Sequence, residues 1–184
     1  IRDSYYSHEE IIKAGEYSDD TQLIIATARS LMYGAKWNKQ FTRNELPFWL
    51  EYERGAGSAT KSSAKIWKKS GQNPWDYDGP NGSCAKYFNA GGNGVAMRIL
   101  PHLVSNLPVN PQNIIKDVIR NGMYTHGHPR AIIGATCYAF ALYVLLNLSS
   151  TLGYGELIDI IIQNQNVWGN VDNIPVTDLW MNNA

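Results

Sequence analysis

The sequence predicts an all-α fold, a single compact orthogonal helix bundle with long loops rich in glycine and asparagine. Apolar residues recur at helical spacing along most of the chain, with no convincing series of strands. Of the 184 residues, 44% are hydrophobic, which is enough to build one core. The stretch 71–94 carries six glycines and four asparagines and is expected to be a loop. We therefore expect one domain over residues 1–184.

The predicted helices follow from caps and helix breakers. The first begins after residues 18–20 and places Ile24 and Ala28 on one face. The second is expected to begin at residues 42–45, whose residue types match a capping box, and to end near Arg54. The others are predicted over residues 58–69, from about 95 to before 108, from 111 to about 121, over 129–148 and over 155–163.

The charge balance excludes two classes of protein. Sixteen basic residues face sixteen acidic ones, so the net charge is zero. A nucleic-acid binder or a polybasic membrane-surface protein would carry a basic excess, so we expect neither kind of partner. The apolar run 131–148 is expected to be a buried core helix rather than a membrane span. Two cysteines without metal-type spacing favour a reducing, cytoplasmic location.

Ser18, Asp19 and Asp20 form the first candidate site. The two carboxylates could simply stabilise the start of a helix, where the backbone N–H groups are unpaired. They could also bind a hard cation, because carboxylate and hydroxyl oxygens suit Mg²⁺ and a divalent ion relieves repulsion between adjacent carboxylates. Both interpretations remain open from the residues alone.

The second candidate site is the glycine-rich segment 89–99. Glycines let the backbone approach a ligand closely, and N–H groups ahead of a helix suit a phosphate. An ordinary flexible loop is the alternative. Within this segment Met97 is expected to belong to the core, and Arg98 to form a buried structural pair or a cap.

The third candidate site is the segment 125–129, which precedes the long apolar helix. Thr125 or His126 could cap that helix. His126 and His128 could form a transition-metal pair, although no third ligand stands at a suitable spacing. A histidine at a helix start could instead contact a polar ligand.

Four motifs then occur in a recognisable order. They are S-D-D-T at 18–21, a segment close to R-x-x-G-x-G-x-x-T at 54–60, G-N-G-x-A-M-R-I-x-P at 92–101 and T-H-x-H-P at 125–129. This order resembles the ADP-ribosylglycohydrolase family, which includes the dinitrogenase-reductase-activating glycohydrolases. The resemblance covers roughly residues 15–148. It implies an all-α protein with a binuclear Mg²⁺ centre that hydrolyses the bond between ADP-ribose and a protein side chain or small acceptor.

The resemblance also implies roles for individual residues. Ser18, Asp19 and Asp20 are expected to be metal ligands, with Asp19 and Asp20 taking part in catalysis. The loop residues Gly92, Asn93 and Gly94 are expected to bind the diphosphate and ribose. His126 is expected to contact the ligand beside that loop. Tyr87 or Phe88 could stack on the adenine, although no motif position assigns this. The expected partner is an ADP-ribosylated protein or a small molecule that contains ADP-ribose.

The sequence departs from the family pattern in two places. It lacks an acidic segment ahead of S-D-D-T and a late D-x-D-T motif, so the expected carboxylates lie on one side of the metal centre only. The chain is therefore expected to be either a portion of a longer protein or a degenerate homologue, and to be a poor catalyst by itself. The alternative function is that of a catalytically inactive homologue that binds ADP-ribose or serves a structural role.

Overall fold

The computed structural model describes residues 14–77, 79, 83–105 and 110–169, and every regular element within them is helical. The all-α prediction is confirmed. The single-domain prediction stays a prediction, because residues 1–13 and 170–184 lie outside the described part. The α-helices are α1 (Asp19–Leu31), α2 (Trp37–Gln40), α3 (Leu46–Trp49), α4 (Ser58–Ser70), α5 (Ser83–Phe88), α6 (Leu100–Ser105), α7 (Pro111–Met123), α8 (Pro129–Asn147), α9 (Tyr154–Gln163) and α10 (Gln165–Trp168).

Several helix boundaries lie where glycine, asparagine and proline predict them. α4 ends at Gly71, whose φ of +64° is a left-handed conformation that strains residues with a side chain. α7 begins after Asn110, whose Oδ1 accepts a hydrogen bond of 2.9 Å from the backbone N–H of Gln112. Pro129 occupies the first turn of α8. These boundaries are local in origin, so the sequence predicts them well.

The predicted helix start at residues 42–45 is wrong. The chain is already helical from Trp37, and residues 41–45 form a π-helical turn between α2 and α3. The Thr42 hydroxyl donates to the carbonyl of Asn38 at 2.8 Å, as a threonine inside a helix does, rather than capping a helix start. Glu45 forms an ion pair with Arg29 of α1 at 2.7 Å instead of closing a capping box.

The stretch 71–94 is not loop throughout. It contains a short 3₁₀ turn (Pro74–Asp76) and α5, whose last two side chains are buried. The hydroxyl of Tyr87 donates to the carbonyl of Met123 at 2.7 Å, and the ring of Phe88 packs edge-on against the ring of Tyr87. Both rings therefore belong to the core, and the hypothesis that either stacks on an adenine is not supported.

The helix that was expected from about residue 95 is divided in two. A 3₁₀ turn (Ala96–Arg98) precedes α6, and residues 106–109 lie outside the described part. The cap of α8 also differs from the prediction. The Nδ1 of His128 accepts a hydrogen bond of 3.1 Å from the backbone N–H of Arg130, so His128 is the cap and neither Thr125 nor His126 is.

The buried apolar side chains form two clusters. The first core cluster is built mainly from α6, α7 and α8, and the second core cluster from α1, the Trp37–Trp49 helical segment and α4. The fully or almost fully buried members include Val95, Ile99, Leu103, Ile114 and Val118 in the first cluster and Leu23, Phe41, Leu46, Trp49 and Ala64 in the second.

Arg98 is completely buried between these clusters. Its guanidinium donates to Oδ1 of Asn121 at 2.7 Å, to the carbonyl of Asn121 at 2.8 Å, to the carbonyl of Gly94 at 3.0 Å and to Oγ1 of Thr125 at 2.8 Å. It also lies 5.3 Å from the centre of the Phe41 ring. The sequence predicts a buried structural pair or a cap for Arg98, and its burial is confirmed, but its acceptors among the described residues are neutral oxygens rather than a carboxylate. Burial accordingly lowers the pKa of Arg98 to about 9.

Two buried histidines lie in the same network. The amide nitrogen of Asn121 is a donor and lies 3.2 Å from Nε2 of His102, so that ring nitrogen accepts the bond. On the other side, Thr125 Oγ1 lies 2.7 Å from Nδ1 of His126. Burial, and then the positive charge of Arg98, lower the pKa of each histidine to about 3. Both rings are therefore neutral at physiological pH.

α8 is long and apolar enough to cross a bilayer, but such a helix also occurs in the cores of soluble proteins. One face is buried against the rest of the fold, and a third of its most apolar window is buried. Tyr138, Leu145 and Leu146 are about half exposed. The prediction of a core helix therefore holds for one face of α8.

We expect the free energy of unfolding to fall as the pH is lowered from 7 to 5. A histidine in an unfolded chain titrates near about 6.5, whereas the pKa values of His102 and His126 are about 3 in the folded protein. Below pH 6.5 the unfolded chain therefore binds more protons. Stability should fall by up to about 1.4 kcal/mol per pH unit for each histidine.

Urea denaturation at a series of pH values measures this dependence. In His102→Gln that ring no longer contributes. The slope of the free energy of unfolding against pH should therefore decrease by up to about 1.4 kcal/mol per pH unit, which corresponds to one proton. If the unaltered protein and His102→Gln have the same slope between pH 6.5 and 5, the lowered pKa of His102 in the folded protein is contradicted.

Candidate functional site

A cleft of about 470 Å³ lies where three parts of the chain meet. The start of α1 forms one wall, residues 55–60 form the second, and the glycine-rich loop 89–94 forms the third together with His126. This volume is within the range of pockets that hold small ligands and cofactors. The structure thus brings the carboxylates, the glycine loop and His126 into one cleft, as the sequence predicts, although their roles stay predictions.

The acidic end of the cleft is made by Asp19 and Asp20. Asp19 is 9% exposed, and its backbone N–H donates to the carbonyl of Arg54 at 3.0 Å, which ties the start of α1 to the segment before α4. Asp20 is exposed. The hydroxyl of Ser18 donates to Oδ2 of Asp20 at 3.1 Å, so Ser18 orients that carboxylate and does not itself line the cleft.

The hydrogen bonds at the start of α1 bear on the alternative that Ser18, Asp19 and Asp20 only stabilise that helix start. Ser18 is the residue before α1, but its side chain makes no capping hydrogen bond to the helix. Burial, followed by the charge of Asp20, raises the pKa of Asp19. Two carboxylates that are crowded in this way favour a nearby cation, because a positive charge offsets both effects.

The donor set fits one Mg²⁺ ion. Mg²⁺ is often held by one or two carboxylates while water completes its octahedral shell, and Asp19 and Asp20 supply two carboxylates. Within the described residues no group of three or more histidine, cysteine, aspartate or glutamate side chains converges on a point. Asp172 and Asp178 lie outside those residues.

The opposite wall is the glycine loop. Gly92, Asn93 and Gly94 line the cleft, and the bond from Arg98 to the carbonyl of Gly94 fixes the end of the loop. A Cβ atom on Gly94 would lie 2.8 Å from Cε1 of His126, so only glycine fits there without displacing that ring. The loop can therefore bring its backbone close to a ligand.

His126 is 2% exposed and closes the cleft beside the glycine loop. Because its pKa is about 3, the ring is neutral and can act as a hydrogen-bond donor or acceptor but not as a cation. His128 is occupied in capping α8. The two histidines thus have separate roles, which does not support the alternative that they form a transition-metal pair.

The first turn of α4 is the part of the site that the sequence reasoning missed. Gly57, Ser58, Ala59 and Thr60 line the cleft, although only the motif at 54–60 was noted and no site residue was assigned to it. No side chain caps this helix, and its first turn carries no acidic residue. Its first N–H groups are therefore free for an anionic ligand, and the uncapped, glycine-rich start of this helix was the signal available in the sequence.

A second, more open depression of about 560 Å³ lies along α4. Its lysines are largely neutralised, since Lys61 pairs with Glu53 at 2.9 Å and Lys68 pairs with Glu51. It contains neither adjacent carboxylates nor a glycine loop. We therefore consider the smaller cleft to be the functional site.

Comparison with known proteins identifies the family of the chain. The sequence profile of the ADP-ribosylglycohydrolase family matches residues 1–175, which extends beyond the segment that carries the four motifs. No curated protein matches the chain. Because the match spans nearly all of the 184 residues, this chain belongs to the ADP-ribosylglycohydrolase family, whose members hydrolyse bonds to ADP-ribose.

Proposed function

We propose that the cleft binds the ADP-ribose group of a modified protein or small molecule and that the chain hydrolyses its glycosidic bond with the help of Mg²⁺. One observation carries this proposal. A pair of adjacent carboxylates and a wall of neutral N–H donors face the same cleft. An ADP-ribose ligand needs both, because its diphosphate is an anion whereas the sugar becomes positively charged as the bond breaks.

The donor wall is suited to the diphosphate. The first turn of α4 lines the cleft and has no side-chain cap, so its N–H groups can bind an anion there, and the positive end of the helix dipole adds a favourable field. Gly92, Asn93 and Gly94 allow the ligand to approach the backbone of the opposite loop. His126 contributes a neutral ring at the same end.

The acidic end is suited to the reacting sugar. Asp19 and Asp20 would hold Mg²⁺, which when bound supplies positive charge that orients the sugar hydroxyls and polarises a water molecule. The exposed carboxylate of Asp20, held by Ser18, can orient the attacking water.

The partner and the location follow from the same reasoning. The expected partner is an ADP-ribosylated protein or a small molecule that contains ADP-ribose, and we expect neither nucleic acid nor a membrane as partner. We also propose a cytoplasmic location, because the two cysteines of the sequence have no metal-type spacing and are too few for a disulfide scaffold. The alternative function, an inactive homologue that binds ADP-ribose or has a structural role, remains an outcome of the experiments below.

We expect ADP-ribose to stabilise the folded protein. A ligand that binds only the folded state at a concentration one hundred times its Kd raises the free energy of unfolding by about 2.7 kcal/mol. Thermal unfolding with ADP-ribose, ATP and free ribose measures the effect. ADP-ribose should raise the midpoint most, and an unchanged midpoint at millimolar ADP-ribose would contradict the proposal.

We expect Asp19→Asn and Asp20→Asn each to weaken Mg²⁺ binding and to abolish release of ADP-ribose from a modified protein. Release by the unaltered chain should be slow and should stop when Mg²⁺ is chelated, because the described carboxylates lie on one side of the cleft. Calorimetric titration with Mg²⁺ and an assay for free ADP-ribose make the two measurements. Asp159→Asn, on the exposed face of α9, is the matched control.

The outcomes separate three interpretations. Unchanged Mg²⁺ affinity in both variants, with stability lowered by about 0.5–2 kcal/mol, would mean that the carboxylates only stabilise the start of α1. Binding of ADP-ribose without any Mg²⁺-dependent release would identify an inactive homologue. Loss of both binding and release in the variants, but not in the control, supports the enzyme.

A further inference from the structure

Thr60 is a buried residue of the cleft wall whose hydroxyl forms no hydrogen bond with another described residue. The residue lies in the first turn of α4, is 2% exposed and lines the cleft. No hydrogen bond from its Oγ1 to another described residue occurs. Oγ1 lies 3.1 Å from the position that a Cβ atom of Gly94 would occupy. The hydroxyl is therefore free for a ligand atom beside Gly94.

His126 places a second polar atom at the same point. Its Nε2 lies 3.0 Å from the same Cβ position of Gly94, so Nε2 and the Thr60 hydroxyl both lie against Gly94, and all three residues line the cleft. No hydrogen bond from Nε2 to a described residue occurs. Whether this atom donates or accepts depends on which ring nitrogen carries the proton.

The hydrogen bonds of Thr125 decide where the His126 proton lies. Arg98 can only donate, so Thr125 Oγ1 accepts from it at 2.8 Å. The single hydroxyl proton of Thr125 then has two possible acceptors, Nδ1 of His126 at 2.7 Å and the carbonyl of Gly122 at 3.4 Å. Hydroxyl hydrogen bonds are usually 2.5–3.0 Å long, so the proton goes to Nδ1. The alternative, in which Nδ1–H donates to Oγ1, leaves the hydroxyl proton with the carbonyl of Gly122 at 3.4 Å, so the geometry favours Nδ1 as the acceptor and the ring proton on Nε2.

We propose that Thr60 and His126 form a two-donor subsite beside Gly94 that binds one acceptor oxygen of the ligand, and that Thr125 is the positioning residue that keeps the His126 proton on Nε2. A protonated Nε2 donates to oxygen and does not ligate a metal or accept a proton. Both donors are neutral, so the subsite selects an oxygen by geometry rather than by charge. The identity of that ligand as ADP-ribose rests on the function proposed above, whereas the position of the proton does not.

The first test concerns the proton and needs no ligand. Long-range ¹⁵N–¹H correlation spectra of the histidine rings distinguish the two neutral tautomers. The unaltered protein and Thr125→Ser, which keeps the hydroxyl, should both show His126 protonated on Nε2. Thr125→Val removes the hydroxyl at nearly constant volume and should give a mixture of tautomers. A proton on Nδ1 in the unaltered protein would overturn the proposal.

The second test concerns the ligand and uses calorimetry with ADP-ribose. Thr60→Val should weaken binding about threefold to tenfold, the range expected for loss of one hydrogen bond, and Thr60→Ser should bind as the unaltered protein does. Thr125→Val should also weaken binding, with Thr125→Ser again unaffected. Thr151→Val, at an exposed position outside the cleft, is the control. Thr60→Ala replaces Thr60→Val if the latter does not fold.

The two proposals fail in different ways. If the unaltered protein does not bind ADP-ribose, the proposed function is wrong, while the spectra still test the position of the proton. If the unaltered protein binds ADP-ribose and Thr60→Val binds equally well, the subsite is wrong and the proposed function stands. Weaker binding in Thr60→Val and Thr125→Val, with full binding in both serine variants, supports the subsite.

Discussion

The structure depends on one buried guanidinium. Arg98 is inaccessible to solvent, and its guanidinium donates instead to three carbonyl-type oxygens and one hydroxyl from the glycine loop, α7 and the segment after α7. Loss of any of these acceptors would leave a buried charge partly unsatisfied, which is costly. Because the contacts reach Gly94 and Thr125 together, Arg98 fixes the spacing between the loop and His126. The same side chain lies over Phe41 and so joins the two core clusters.

This arrangement keeps the positive charge of Arg98 out of the cleft and places the negative charges of the carboxylates on a different wall from the neutral donors. The positive charge of Arg98 stays behind the wall, where it bonds to the carbonyl of Gly94 and to Thr125, and the cleft itself receives neutral donors at that end. The carboxylates of Asp19 and Asp20 stand at the start of α1, on another wall. A ligand with an anionic diphosphate and a sugar that becomes positive during cleavage matches both ends. The family membership of the chain and the geometry of the cleft therefore lead to the same class of substrate.

The sequence predicts those features that arise from local chemistry. The end of α4 at Gly71 and the start of α7 after Asn110 need only the conformations of the residues concerned, and the helices predicted over 58–69 and from 111 to about 121 agree with them. The errors arose where distant contacts override local preference. Thr42 has the residue type of a cap but lies inside a helix whose neighbouring side chains are buried. Tyr87 lies in α5, where the hydrogen bond from its hydroxyl to the carbonyl of Met123 ties that helix to the end of α7. The place of Thr60 could likewise not be predicted, since only the fold brings this residue beside Gly94 of the glycine loop.

The central claim is that the carboxylates at the start of α1 and the glycine loop form one ligand site. Paramagnetic relaxation by Mn²⁺, which replaces Mg²⁺ at oxygen ligands, tests it most directly in the presence of ADP-ribose. The account predicts the strongest broadening at the amides of Asp19, Asp20 and Gly55, since a Cβ on Gly55 would lie 3.9 Å from a carboxylate oxygen of Asp19. Weaker broadening should follow at Gly92 and Gly94. Broadening centred on acidic residues elsewhere, with none in the cleft, would contradict the account.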